Sequence, residues 1–162
     1  MAQEISGRSL NELCSSRICI DEYQNGRMRG RLYNNYYAEP IVFANAIQLL
    51  KKMEAIFDSF EHPQKTMEPR KFGDKGRNPE KIIGQDALMQ RKPQEANGKV
   101  ATFHVRVIFR KNASWQGIVC WVDGEKRENF RSVLELLMLM DEAIESRKIK
   151  NAENWTGEGD GI

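Results

Sequence analysis

A chain of 162 residues, 40% hydrophobic and 30% charged, is about one domain long and has the make-up of a globular protein that buries its own core. A formal charge of +2 and a pI near 8.4 are mildly basic and fall short of a general coat for polyanions. No stretch approaches the ~20 apolar residues of a membrane span. The opening residues MAQEISGRSLNELC hold no signal-peptide core. Cys14, Cys19 and Cys120 form no CxxC pair and leave one thiol over, which suits a reducing, cytoplasmic setting.

Residues 1–16 are polar and are expected to hold at most a helical turn around Leu10 and Leu13. Residues 17–23 read as a strand, Asn25-Gly26 as its turn and 27–33 as a second strand. Asn34-Asn35 suits a turn with positive φ. Residues 36–42 are predicted as a third strand, placed at an edge because Pro40 has no N–H for a ladder. Residues 44–59 read as a helix with Ala46, Ile47, Leu50, Met53, Ile56 and Phe57 inward.

Residues 60–100 break this pattern. They hold four of the five prolines, and between 61 and 99 nine basic residues stand against six acidic ones. The stretch reads as a long polar connector with one weak helix over 79–90, serving either as a mobile linker or as a partner-contacting arm. Beyond it, Phe103, Val105, Val107 and Phe109 alternate with His104, Arg106 and Arg110, the period of a half-buried strand. Trp115, Gly117, Val119 and Trp121 alternate again, and Asp123-Gly124 turns the chain into a further strand ending near Asn129. From Phe130 the period becomes helical, with Val133, Leu134, Leu136, Leu137, Met140 and Ile144 on one broad face. Residues 148–162 read as a flexible tail.

The same order, β-β-β-α, occurs over 17–59 and over 101–147. Sliding the chain by 87 positions lays Asn25 on Asn112, Gly30 on Gly117, Phe43 on Phe130, Leu49 and Leu50 on Leu136 and Leu137, and Met53 on Met140. The expected architecture is a single α+β domain made of tandem duplicated units. It would form one antiparallel sheet of about six strands, with both helices on one face and a pseudo-twofold axis between the halves.

Few residues are arranged for catalysis. His62 and His104 have no companion at metal-ligand spacing, and no nucleophile, phosphate-loop or metalloprotease motif is present. Cys120 stands in an apolar strand, where a small buried hydrophobe is the default. Glu54, Asp58, Glu135, Asp141, Glu142 and Glu145 are spaced to sit on solvent-facing helix rims. The expectation is a non-catalytic protein with no cofactor and no metal. If Met28, Gly30 and Leu32 point inward, Arg27, Arg29, Arg31 and Tyr33 point outward, joined by His104, Arg106 and Arg110 on the matching strand and Lys111 at its turn. Such a face is the wet side of any antiparallel sheet, or else a surface whose guanidinium forks grip phosphates or carboxylates. Where the first helix has Lys51 and Lys52, the second has Met138 and Leu139. That extra apolar surface requires cover, from within the chain or at an interface with a partner or second copy.

The run NASWQGIVCWVDGEKRENFRSVLELLMLMDEAIE resembles small uncharacterised accessory proteins of Firmicutes phages and conjugative elements, and RLYNNYYAEPIVFANAIQLLKKMEAIFD is similar to their first half. The resemblance implies a mobile genetic element, on which such genes often encode inhibitors of host defence, anti-CRISPR proteins among them. Two readings follow. One is a binding protein that docks on a protein partner such as a defence nuclease. The other is a nucleic-acid-binding accessory protein in which Arg27, Arg29, Arg31, Arg106 and Arg110 neutralise phosphates and Tyr33 stacks.

Overall fold

The computed structural model describes residues 11–37, 39–73 and 96–156. Three strands, β1 (Ser15–Gln24), β2 (Arg27–Asn34) and β3 (Ile41–Phe43), lead into helix α1 (Ala46–Ser59). Three more, β4 (Ala101–Phe109), β5 (Gln116–Trp121) and β6 (Lys126–Phe130), lead into helix α2 (Val133–Thr156). They make one antiparallel sheet in the order β3-β2-β1-β4-β5-β6, so the protein is α+β with β1 and β4 side by side at the centre. The helices pack on one face, α1 over β2 and β3 and α2 over β4, β5 and β6.

The halves agree in detail. Ile18 pairs with Leu32 and, 87 positions later, Val105 with Val119. Gly30 pairs with Phe43, and Gly117 with Phe130. The tight turns match too, with Asn25 at φ 52° and Asn112 at φ 57°. A bulge falls between Ile20 and Glu22 in β1 and between Val107 and Phe109 in β4. At the centre Arg17 pairs with His104, residues that are themselves 87 apart. The two strand glycines are needed for close approach: a Cβ on Gly30 would sit 1.9 Å from the Cys19 carbonyl oxygen, and one on Gly117 2.0 Å from that of Arg106.

Both helices start on a side-chain cap. The Gln48 N–H donates to Asn45 Oδ1 at 2.9 Å, and the Glu135 N–H to Ser132 Oγ at 3.1 Å. The inward residues are Leu49, Met53, Ile56 and Phe57 on α1 and Leu136, Met140, Ala143 and Ile144 on α2. They close on Ile18, Ile20, Leu32, Phe103, Val105 and Val107 from the sheet. Several boundaries differ from the sequence expectation. The third strand is only Ile41–Phe43, because Pro40 defers pairing until after it. Ile47 and Leu134, expected inward, are exposed on the second residue of each helix, while Leu50 is partly covered. Helix α2 runs through Thr156, so 148–156 of the flexible tail expected over 148–162 is regular helix; 157–162 lies outside the described residues. Of the connector, 61–73 and 96–100 are built into the fold; the helix expected over 79–90 lies outside the described residues. Ahead of β1, residues 11–13 are helical and Leu13 is fully buried.

Candidate functional site

The face of the sheet away from the helices is set by alternation. Since Met28, Gly30 and Leu32 are buried, Arg27, Arg29, Arg31 and Tyr33 stand on the opposite side, as expected. Cross-strand pairing then lines up a row over five residues: Tyr33 beside Arg17, Arg17 beside His104, His104 beside Cys120, and Cys120 beside Arg127. A second row runs Ser15, Arg106, Ile118 and Asn129. Arg29 and Arg127 are exposed and Arg106 is half-buried. Among the described residues neither Arg106 nor Arg127 meets an acidic group, and Arg29 has only an exposed contact with Glu22 at 3.6 Å. That pair is too solvated to hold the guanidinium. Partial burial, and then the neighbouring Arg17 and Arg106, push the His104 imidazole below its ordinary value.

Not every predicted arginine is available. Arg31 grips Asp21 through Nε and Nη2, at 2.8 and 3.1 Å, donates to the Tyr33 hydroxyl at 2.6 Å and reaches the Asn97 carbonyl at 3.0 Å. The Arg31 hydrogen bond outweighs partial burial and holds the Asp21 carboxyl below its usual range. Arg17 likewise donates to the Ala96 carbonyl and to Asn97 Oδ1. These contacts lay residues 96–99 across one corner of the face, where Cys19 and Thr102 are fully buried. Arg31 and Tyr33 therefore clamp the chain to itself, and the open part of the face is the side of β4, β5 and β6. Arg27 also bonds inward to the chain, through Nε to the Ala44 carbonyl at 3.0 Å.

The β4 bulge overturns two expectations. Ile108 takes the extra position, so the alternation slips by one. Phe109, expected in the core, is 50% exposed, with Lys111 Nζ 4.6 Å from its ring centroid. Arg110, expected on the open face, is only 3% exposed and turns toward the helices. There it donates to the Pro63 carbonyl at 2.5 Å, Glu54 at 3.0 Å and Asp58 at 2.7 Å. Glu54 also accepts from Trp115 Nε1 at 2.6 Å, and Asp58 pairs with Lys65 at 3.1 Å. These carboxylates, expected on solvent-facing rims, thus converge on one buried guanidinium. Burial raises the Asp58 carboxyl, but bonds from Arg110 and Lys65 outweigh it and leave it below its ordinary value. The cluster forms the floor of a groove of about 790 Å³ bounded by α1, residues 65–71, Ala113–Trp115 and Val133.

Of the expected interface pair, Met138 is 62% exposed, whereas Leu139 packs against the core. Cys120, expected to be buried, is half-open beside His104. His62 is half-buried after α1, its pKa lowered by burial and then by Arg110. The residues that sequence reasoning misses are Arg17, Arg127 and Phe109. The one trace of Phe109 is the run Val107-Ile108-Phe109, three apolar residues that cannot alternate. Among the described residues no helix is long and apolar enough to cross a membrane, and no group of three acidic, histidine or cysteine residues is placed to hold a metal. Comparison with family models, curated proteins and solved structures finds no match.

Proposed function

We propose that this is a non-catalytic binding protein that holds single-stranded nucleic acid on the open face of its sheet. The observation that carries the reading is the set formed by Arg106, Arg127, His104 and exposed Phe109 on one face, with both arginines free of acidic partners among the described residues. Guanidinium groups take phosphates in bidentate fashion, and an exposed ring gives a base a surface to stack on. The modest overall charge fits a discrete patch better than a coat. We also read the two halves as copies of one ancestral β-β-β-α unit, supported by the shared register, bulge and cap at one offset. Three free cysteines fit a cytoplasmic protein.

The resemblance to accessory proteins of mobile elements supports a second reading, an inhibitor that docks on a host defence nuclease. A cationic face cannot stand in for nucleic acid in a basic cleft, so an inhibitor of this kind would meet the nuclease through an acidic surface or through α2. The exposed Leu134 and Met138 on α2 favour such a contact.

The test is an amide NMR titration with oligothymidine. The expected result is shifts in β4, β5 and β6 around His104, Arg106, Phe109 and Arg127, with α1 and α2 unmoved. Phe109→Ala should weaken binding by ~1–3 kcal/mol. Affinity should rise as the pH falls below 6.5, because protonation of His104 adds a charge to the face. Shifts confined to the helix side would overturn the reading.

A further inference from the structure

The groove on the helix side is lined by residues whose counterparts 87 positions away differ in chemistry, and its charges point to a ligand. At the positions 87 residues away, α2 carries Met138 where α1 has Lys51, and Tyr23 and Met28 stand where the groove has Arg110 and Trp115. After α1 the chain leaves the helix at Phe60 and runs back beside β4. Lys65 bridges to Arg110 there, the Thr66 N–H donates to the Arg110 carbonyl, and the Asn112 N–H donates to Thr66 Oγ1. This return builds a wall that α2, continuing as helix, does not build.

A buried guanidinium with two carboxylates is a weak source of stability, because desolvation offsets the attraction. Among the described residues it stands in this half alone; at the matching place Tyr23 bonds Asp141 instead. The volume suits a small molecule, and Leu50, Ala55, Met67, Trp115 and Val133 supply apolar lining. The charges decide what the molecule carries. Each acid in the groove is already paired: Glu54 with Arg110 and Trp115, Asp58 with Arg110 and Lys65, Glu68 with Lys65. Lys51 and Lys71, both exposed on the rim, have no acidic partner among the described residues. Arg110 Nη2 makes no hydrogen bond among the described residues, since Nε and Nη1 make the bonds to Pro63, Glu54 and Asp58.

We infer that the groove between α1 and residues 65–71 binds a small organic anion, an apolar body carrying a carboxylate. The body lies against Leu50, Trp115 and Val133, and the carboxylate meets Lys51 and Lys71. The site is on the opposite side of the sheet from the arginine face and does not depend on what that face binds.

The test uses naphthoate and its uncharged carboxamide as probes, followed by the Trp115 indole N–H signal in NMR and assigned with Trp115→Phe. Naphthoate should shift that signal saturably, and the carboxamide should bind about tenfold more weakly. Reversing both rim charges, Lys51→Glu with Lys71→Glu, should cost naphthoate about tenfold and leave the carboxamide unchanged. Both lysines are exposed, so the variant is expected to fold, and an unchanged amide spectrum elsewhere checks this. Arg127→Glu, on the other face, should change neither affinity. The inference is overturned if naphthoate gives no saturable shift, if the two probes bind alike, or if the double reversal has no effect.

Discussion

At two matched places the molecule joins one half to the other half's helix, and it does so with different chemistry. From the bulged end of β1, Tyr23 donates its hydroxyl to Asp141 on α2, with Lys148 over its ring. From the bulged end of β4, 87 residues on, Arg110 binds Glu54 and Asp58 on α1. Glu54 and Asp141 are themselves 87 apart. The backbone solution is shared, since each bulge turns the following residue inward toward a helix carboxylate. One side uses a neutral donor with a ring that fills space; the other buries a charge and leaves a groove. The symmetric frame is therefore the structural part, and the departures from it are where function should be sought.

Removing the buried charge should have the largest effect. Arg110→Ala leaves two carboxylates facing a buried site and should cost ~3–5 kcal/mol in urea unfolding. Adding Glu54→Gln and Asp58→Asn should recover much of that loss. Next come the glycines: Gly30→Ala and Gly117→Ala should each cost ~3 kcal/mol, the upper end for overpacking, because the obstacle is a backbone oxygen in both. Unequal costs would count against equivalent halves. On the other side, Tyr23→Phe should cost only ~1.5 kcal/mol, the low end for a hydrogen bond to a charged group. Removing either cap, Asn45→Ala or Ser132→Ala, should cost ~1 kcal/mol.

The smallest expected effect is in acid. Asp21 and Asp58 both titrate below the ordinary 3.8 in the folded protein. The unfolded chain therefore takes up their protons first, so their stabilisation is complete above that value and fades as the pH falls through the lowered folded values. Asp21→Asn and Asp58→Asn should each flatten the acid limb of a stability–pH curve, and an unaltered limb would count against these bonds.

Much of the fold is legible in the sequence because its signals are local. Alternation in 17–33 and 101–121, turn asparagines and a change of period at Phe130 place five of the strands and both helices. The site is less legible. A bulge leaves little trace in a single sequence, and one extra residue, Ile108, exchanges the fates of Phe109 and Arg110. Arg31 shows the other limit: alternation gives the side of the sheet but not the distant partner, and Asn97 lies 66 residues away. Arg17 and Arg127 escape notice in the sequence because their place in the row depends on strand order, which periodicity does not specify.

The most direct test of the sheet face is the salt dependence of binding to a labelled single-stranded oligonucleotide, read by fluorescence anisotropy. It compares the native protein with Arg106→Ala/Arg127→Ala, a variant that spares the Arg31 clamp and the Arg110 cluster. Affinity should fall steeply with salt, with a log–log slope shallower by about 1.4 in the variant, at roughly 0.7 for each phosphate that is no longer neutralised. No binding at low salt, or a slope that the two substitutions leave unchanged, would contradict the reading.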